Sequence, residues 1–298
     1  MRNVVEVREL SKSYGSFTAV DKVSFNIQPG KIYGLLGRNG AGKTTIMHMI
    51  TAQLFATSGE VAVFGETPYE NNYVLNQICF IKEGQKYPDH FRVADALDFA
   101  ASVFPNWDEA FARTLVEDFQ LPLTRRIKRL SRGNLSSVGI VIGLASRAPL
   151  TMFDEPYLGL DAVARGVFYD RLIADYAEHP RTVILSTHLI DEVSRILEHV
   201  LVIDKGKLII DEEAEILRGQ AITVAGLASA VQSFIADKQT ISREPFGALV
   251  SATIMGKLSD EERGRAEDFG LELAQVSLQQ LIVYLTNGKW ERKAEDTR

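Results

Sequence analysis

The sequence predicts an α/β protein with a largely parallel sheet covered by helices, followed by a smaller α+β unit. Two observations predict the larger part. Short apolar runs alternate with helical stretches along the chain, and a glycine-rich segment joins one such run to a helix. A change of character after Gly219 predicts the second unit, over residues 220–298. A chain of 298 residues is long enough for one large domain and one smaller one.

The elements follow from local patterns in chain order. Alternation of apolar and polar residues predicts half-buried strands at 4–10 and 23–27. Apolar runs predict further strands at 31–36, 60–65, 78–81, 150–153, 182–186 and 200–203. A turn at 205–207 predicts a hairpin with a strand at 208–211. Helical patterns are found at 45–54, 162–178 and 190–197, and throughout a block from 93 to 145.

The second unit has a mixed pattern of its own. Apolar runs predict strands at 221–224 and 248–254. Helical patterns are found at 228–237, 260–268 and 278–284. The unit is therefore expected to be a small α+β domain.

Composition restricts the classes of function. Hydrophobic residues make up 46% and charged residues 24%, which is typical of a soluble globular protein, and the net charge of −6 indicates no broad nucleic-acid surface. The single cysteine, Cys79, excludes a disulfide framework or a cysteine-rich metal cluster. The N-terminus lacks a signal-peptide pattern, and no run of 18 apolar residues exists, so we expect no transmembrane segment.

The segment 37–45 matches the phosphate-binding pattern G-x-x-x-x-G-K-[ST] at every fixed position. It consists of Gly37, Arg38, Asn39, Gly40, Ala41, Gly42, Lys43, Thr44 and Thr45. The glycines permit a tight loop whose backbone N–H groups point inward, and the following helix N-terminus and Lys43 add positive charge. The Thr44 hydroxyl suits Mg²⁺. This segment predicts a site for the phosphates of a nucleoside triphosphate.

A second candidate group follows the apolar strand at 150–153, which ends in the carboxylates Asp154 and Glu155. We expect Asp154 at the sheet edge where the phosphate loop also lies. Asp154 suits direct or indirect Mg²⁺ binding, and Glu155 suits activation of an attacking water. The alternative is an acidic turn exposed to solvent.

These motifs, with others in the same order, resemble those of the ATP-binding subunits of ABC transporters over about residues 1–215. Residues 37–45 resemble the Walker A loop and residues 150–155 the Walker B strand. Residues 130–134, which include Ser131 and Gly133, are similar to the LSGGQ signature, and a helix is predicted to start near Asn134. Residues 158–161, ending in Asp161, resemble the D-loop. His188 resembles the switch histidine, and Tyr14 the aromatic residue that stacks on adenine.

The resemblance implies a P-loop NTPase core at 1–219 with an antiparallel β subdomain and a helical subdomain at about 84–147. It implies an ATPase that uses ATP and Mg²⁺ and powers export through a separately encoded permease. The ATPase would lie at the cytoplasmic face of the membrane, attached through this permease. The similarity to the peptide and antibiotic exporter group rests on residues 104–109 and the altered signature. No nucleic-acid partner is expected. The alternatives are a soluble ABC-type ATPase outside transport, and a nucleotide-binding regulator with little turnover.

The resemblance also implies a head-to-tail pair of ATP-binding subunits, identical or paralogous, with each ATP between Walker A of one and the signature of the other. Ser131 and Gly133 would then contact the ATP bound by the partner subunit. Glu155 would activate water, and His188 would hold the γ-phosphate. For residues 220–298 we favour support of the dimer, with regulation and permease docking as alternatives.

Several positions depart from the family pattern. The family glutamine that contacts Mg²⁺ and senses the permease is replaced by Glu83, with Gln85 as the alternative. In the signature, Arg132 replaces a glycine and Asn134 a glutamine, and Arg132 either attracts phosphate or points to solvent. Four aromatic residues of the helical block either belong to the core or line the groove for the permease: Phe91, Phe99, Phe104 and Trp107.

Overall fold

A computed structural model describes residues 2–286 of the protein. The chain forms two compact units, one of residues up to 188 with 196–211, the other of residues 189–195 with those from 212 onward. This division differs from the sequence-based boundary at 219/220. The segment 189–195 belongs to the second unit, where the Arg218 guanidinium donates to the Ser194 carbonyl. The predicted second domain covers 220–298, and its residues 287–298 lie outside the described residues.

The strands and helices of the first unit follow the sequence patterns in type and order, but several bounds differ. The first strand runs to Tyr14 and not 10, the second begins at Phe17 and not 23, the first helix ends at Ile50 and not 54, and the short helix Asn72–Leu75 was not predicted. The strands are β1 (Val5–Tyr14), β2 (Phe17–Ile27), β3 (Ile32–Leu36), β4 (Ser58–Val63), β5 (Ile78–Ile81), β6 (Leu150–Asp154), β7 (Thr182–Thr187), β8 (His199–Asp204) and β9 (Lys207–Glu213), the last of which continues into the second unit. The helices are α1 (Lys43–Ile50), α2 (Asn72–Leu75), α3 (Val93–Val103), α4 (Glu109–Asp118), α5 (Arg132–Ala145) and α6 (Ala162–Glu178), with a 3₁₀ turn at Ile127–Arg129.

The main sheet has the strand order β5-β6-β7-β3-β8-β9, and the neighbours from β5 to β8 pair in parallel. Every residue of β3, β6 and β7 is buried, which explains why these strands lack the apolar–polar alternation of a half-exposed strand. The carboxyl ends of these three strands meet at one edge of the sheet. Leu36 pairs with Thr187 there, and Asp154 pairs with Ser186. This edge brings the phosphate loop, the two carboxylates and His188 together.

Two further layers pack on this core. Strands β2, β1 and β4 form an antiparallel sheet, so the expected antiparallel β subdomain is confirmed. Its buried side chains, such as Leu10 and Phe25, share one core with Ile46 and Met47 of α1. On the helical side, Arg147 lies 2.8 Å from Asp108 before α4 and 2.9 Å from Asp175 of α6. This ion pairing fixes the helical segment to the sheet core.

The second unit is α+β, as predicted. Its strands are β10 (Ala221–Leu227), β11 (Thr240–Phe246), β12 (Leu249–Met255) and β13 (Glu272–Gln275), and its helices are α7 (Ile190–Val193), α8 (Ala214–Leu217), α9 (Ala228–Phe234), α10 (Asp260–Asp268) and α11 (Leu278–Thr286). The strands form one antiparallel sheet in the order β11-β12-β10-β13. Val231 and Phe234 of α9 are buried against it.

The predicted helix over 190–197 is wrong beyond Val193, where α7 ends. The next carbonyl, that of Ser194, accepts from the Arg218 guanidinium, so a side chain takes a place that a helical N–H would otherwise fill. Within residues 2–286, no helix is both long and apolar enough to cross a membrane.

Candidate functional site

The glycine-rich loop between β3 and α1 surrounds the Lys43 ammonium group. Helix α1 begins at Lys43 itself, two residues earlier than the sequence predicted. Lys43 Nζ donates to the Gly37 carbonyl at 2.8 Å and to the Arg38 carbonyl at 3.3 Å, and the residue is only 5% exposed. The loop therefore places a buried positive charge at a helix N-terminus, the arrangement that binds phosphate.

Neighbouring backbone fixes the shape of this loop. Gly42 has a φ of 112°, and a Cβ there would lie 2.7 Å from the Ala19 carbonyl oxygen of β2. The β8–β9 turn supports the loop from another side, where Gly206 N donates to the Ala41 carbonyl at 2.9 Å. Only glycine fits position 42 in this backbone, because any side chain would be both strained and in contact with β2.

A pair of side chains joins the loop to the end of β6. The Thr44 hydroxyl donates to Asp154 Oδ2 at 2.6 Å. Asp154 is 2% exposed, and its second oxygen, Oδ1, is buried with no hydrogen-bond partner in the described part of the chain. A buried carboxylate oxygen left unpaired beside a threonine hydroxyl and a phosphate loop has the chemistry of a Mg²⁺ site.

Glu155 lies at the centre of a buried group of polar side chains. Its Oε1 lies 3.5 Å from Lys43 Nζ, and its Oε2 lies 2.9 Å from Nδ1 of His188. The residue is 8% exposed and has a φ of 48°, in the left-handed region that non-glycine residues seldom adopt. Such strain persists only where surrounding contacts fix the backbone, and it is typical of functional sites.

Tyr157 completes this group and was missed by the sequence analysis. Its hydroxyl donates to Glu155 Oε2 and accepts from Thr187 Oγ1 at 2.7 Å. The backbone N–H of His188 also points to the same hydroxyl, at 3.3 Å. The only signal in the sequence is a tyrosine two residues after the predicted water-activating carboxylate, and the contact with β7 is too distant in sequence to predict.

A cavity of about 600 Å³ gathers most of the predicted nucleotide-binding residues. It is lined by the loop residues 39–45 together with Tyr14, Phe17, Glu83, Glu155 and His188. Tyr14 and Phe17 face each other at the end of the β1–β2 hairpin and are 51% and 63% exposed. Both rings are thus available for stacking on a flat base, and Phe17 is a second aromatic candidate beside the predicted Tyr14.

The signature and D-loop residues lie in a different cavity of about 500 Å³, lined by Ser131, Gly133 and Asp161 among others. Helix α5 starts at Arg132, so the expected start near Asn134 is wrong. Ser131 is the N-cap, because its hydroxyl accepts from Asn134 N at 3.1 Å. One chain therefore contains two separate groups of candidate nucleotide contacts.

A close backbone contact joins the signature to the D-loop. A Cβ on Gly133 would lie only 2.6 Å from the Gly159 carbonyl oxygen. Nearby, the Ser136 hydroxyl donates to the Leu158 carbonyl at 2.6 Å. Glycine at position 133 is therefore required by packing within the chain itself. This requirement is separate from the close approach of Gly133 to a nucleotide bound by a partner subunit.

Two of the departures from the family pattern, Glu83 and Arg132, line a third cavity of about 420 Å³, together with Gln85 and Glu155 among others. Glu83 also lines the cavity of the phosphate loop, which favours it over Gln85 for the role of the family glutamine. Arg132 is exposed at its position in this third cavity.

The aromatic residues of the helical block are not deeply buried. Phe99 is 61% exposed, so a core position for it is wrong, and its ring meets that of Phe91 edge-on with centroids 6.4 Å apart. Phe91, Phe104 and Trp107 are half-buried.

Comparison with known proteins identifies the family. Residues 20–158 match the family model described as ABC transporter. The bacitracin transport ATP-binding protein BcrA of Bacillus licheniformis is 31% identical over 213 residues, covering 70% of this chain and 69% of BcrA. The chain belongs to the ABC transporter ATP-binding family. ABC ATP-binding domains are ATPases, so this ABC subunit binds and hydrolyses ATP as part of a transporter.

Two further similarities extend the comparison. The Nod factor export ATP-binding protein I of Rhizobium etli is 28% identical over 309 residues, covering 97% of this chain and 95% of that protein, so the similarity continues through the second unit. A solved structure described as the ATP-binding subunit of an ABC transporter has a TM-score of 0.65 and 25% identity, covering 72% of this chain and 92% of that one. Subunits of the ABC family dimerise and work with a transmembrane permease.

Proposed function

We propose that this subunit hydrolyses ATP at a site that two ATP-binding subunits complete together, and that it powers export through a separate permease. The observation that carries the proposal is the grouping of Lys43, Glu155 and His188 around one cavity, with Ser131 and Gly133 lining another. A triphosphate bound at the first cavity reaches its full set of contacts only when the second cavity of another subunit faces it.

The residues at the end of β6 fit Mg²⁺. The Thr44 hydroxyl, the unpaired Asp154 Oδ1 and the Glu83 carboxylate supply the oxygen ligands that this ion prefers, either directly or through water. A bound Mg²⁺ would neutralise negative charge on the phosphates during transfer. Glu83 fits this role as well as glutamine would, because its carboxylate also offers oxygen.

The arrangement of Glu155 supports its role as the group that activates water. The water oxygen bonds to the γ-phosphorus while the bond from that phosphorus to the bridging oxygen breaks, leaving ADP and phosphate. Glu155 takes the proton that the water gives up. Lys43 neutralises charge on the departing phosphates. Nδ1 of His188 faces Glu155, and we assign its Nε2 to the γ-phosphate.

The second cavity supports a head-to-tail pair. Ser131 is exposed at the start of α5, and this helix directs its positive N-terminal end toward the cavity. Asp161 caps α6 beside it, accepting from Ala164 N at 2.8 Å. A two-fold axis would bring each signature onto the phosphates held by the other subunit, and both sites would close at once.

The transport role rests on the named relatives. BcrA is a bacitracin transport protein, and the Rhizobium protein acts in Nod factor export. We infer that this subunit works at the cytoplasmic face of the membrane, attached through its permease. For the second unit we propose support of the dimer.

The test of the site is Glu155→Gln. This variant keeps the shape of the side chain and removes the proton acceptor, so hydrolysis is expected to fall by roughly 10²- to 10⁴-fold while ATP binding persists. With ATP and Mg²⁺ the variant should dimerise, as measured by light scattering. Normal turnover would remove Glu155 from the role, and a persistent monomer at saturating ATP would count against the shared site.

A further inference from the structure

We propose that Tyr157 is a positioning residue that keeps the Glu155 carboxylate directed at the attacking water while ATP engages Lys43 and His188. The inference rests on the proposed role of Glu155. Tyr157 lies in the segment between β6 and α6, is 3% exposed, and is not among the residues that line the phosphate-loop cavity with Glu155 and His188.

The Tyr157 hydroxyl joins Glu155 to Thr187 and His188. A phenolic hydroxyl can donate once and accept twice. Here it donates to Glu155 Oε2 and accepts from Thr187 Oγ1 at 2.7 Å and from His188 N at 3.3 Å. Nδ1 of His188 lies 3.1 Å from this hydroxyl and 2.9 Å from Glu155 Oε2; with the ring proton on Nδ1 donated to Glu155, the phenolic proton also points to Glu155. The sheet therefore determines where the carboxylate is held.

The other contacts of Glu155 change when ATP binds. Lys43 lies 3.5 Å from Oε1 and His188 lies 2.9 Å from Oε2. We assigned both of these side chains to the phosphates of ATP, so a bound triphosphate competes with Glu155 for each of them. Tyr157 is not assigned to the phosphates, so its contact with Glu155 can persist through the whole cycle of ATP binding and hydrolysis.

The backbone of Glu155 makes this support necessary. Its φ of 48° is unfavourable for a side chain with a Cβ, so the residue would relax if its contacts were lost. A movement of about 1 Å in a reacting group can reduce a rate by about 100-fold. Removing the Tyr157 hydroxyl should therefore reduce the rate of hydrolysis without weakening ATP binding.

The first experiment compares Tyr157→Phe with Tyr33→Phe in the full chain. Tyr33 is the matched control, since it is 1% exposed and its hydroxyl accepts from Gln28 N at 2.9 Å, away from the site. We expect Tyr157→Phe to lower kcat by about tenfold with KM for ATP within about twofold of the wild-type value. Tyr33→Phe should lower the unfolding temperature by a similar amount and leave kcat unchanged.

The second experiment separates positioning from a general structural effect. If Tyr157 acts through Glu155, adding Tyr157→Phe to Glu155→Gln should cause little further loss of the residual rate. A full additional loss in the double variant, or a wild-type kcat in Tyr157→Phe alone, would overturn the inference. Normal turnover by Glu155→Gln alone would instead overturn the proposed function, so the two failures are distinguishable.

Discussion

The Thr44 hydroxyl and the Asp154 carboxylate are joined by a 2.6 Å hydrogen bond that links the phosphate loop to the end of β6. Thr44→Ala removes one proposed Mg²⁺ ligand and leaves Asp154 without its partner. We expect the Mg²⁺ concentration for half-maximal hydrolysis to rise by about tenfold or more, as measured by phosphate release. Thr44→Ser keeps the hydroxyl and is the control. An unchanged Mg²⁺ dependence in Thr44→Ala would contradict the assignment.

A second prediction concerns the contact between the signature and the D-loop. In Gly133→Ala, the new methyl group would lie 2.6 Å from the Gly159 carbonyl oxygen, so the start of α5 or the D-loop must move. We expect ATP binding to the separate chain to persist. ATP-driven dimerisation, measured in the Glu155→Gln background, should weaken by about tenfold or more, since both displaced segments belong to the proposed interface.

The control for that variant is Gly166→Ala in α6, where an added Cβ meets no atom within 4 Å. Alanine in the interior of a helix is favoured over glycine, so this change should stabilise the protein by about 0.5–1 kcal/mol. Dimerisation should be unaffected. If both glycine variants weakened dimerisation equally, the close contact at Gly133 would not be the cause.

Glu83 and Gln85 can be distinguished by parallel alanine variants. Glu83 lines both the phosphate-loop cavity and the cavity that contains Arg132, whereas Gln85 lines the Arg132 cavity alone of these two. We therefore expect Glu83→Ala to weaken Mg²⁺ dependence, or coupling of hydrolysis to transport, more than Gln85→Ala does. Glu83→Gln should retain most activity because an oxygen ligand is kept. The opposite order for the two alanine variants would move the assignment to Gln85.

His48 gives the protein a component of acid sensitivity. Burial of this α1 residue, and then the positive charge of Lys82, lower the pKa of His48, while Asp154 opposes them. The unfolded chain, with a pKa of about 6.5, then binds the proton more readily than the folded one. The stability contributed by the neutral ring is fully present above about pH 6.5 and is lost as the pH falls toward the folded pKa.

The measurement for His48 is urea unfolding of the wild type and of His48→Gln at several pH values between about 5 and 8. The variant cannot take up this proton, so its unfolding free energy should fall less on acidification than that of the wild type. The other histidines are common to both proteins, and their effects cancel in the comparison. Identical pH profiles would show that His48 does not contribute.

The strongest sequence patterns predicted the buried strands and the residues at their carboxyl ends correctly. Strands buried on both faces, such as β3 and β6, produce apolar runs that end at a definite residue, so the positions of Lys43, Asp154 and Glu155 followed directly. The patterns failed where a side chain or a partner strand decides the structure. Strand β11 is largely exposed at the edge of its sheet and shows no alternation, so it was missed.

The contacts of the site were harder to predict than its residues. Tyr157 touches Thr187 thirty residues later in the chain, through a β6–β7 pairing that no local pattern reveals. Ser131 was predicted as a contact for ATP, and its second role as the N-cap of α5 depends on a helix start that the sequence placed two residues too late. Phe99 shows the same limit, since only the packing of α3 shows that it is exposed.

The separation of the two cavities has a genetic consequence. If each site takes its phosphate loop from one subunit and its signature from the other, a single mutant gene damages both sites of a homodimer. Consider a mixed dimer in which one chain is altered at Lys43 and the other at Ser131. Depending on the geometry, the two defects fall in the same site or in different sites. With the head-to-tail geometry both defects fall in the same site, and the other site is fully wild type. If one working site suffices, such a pair of alleles complements, and either allele paired with the wild type is recessive.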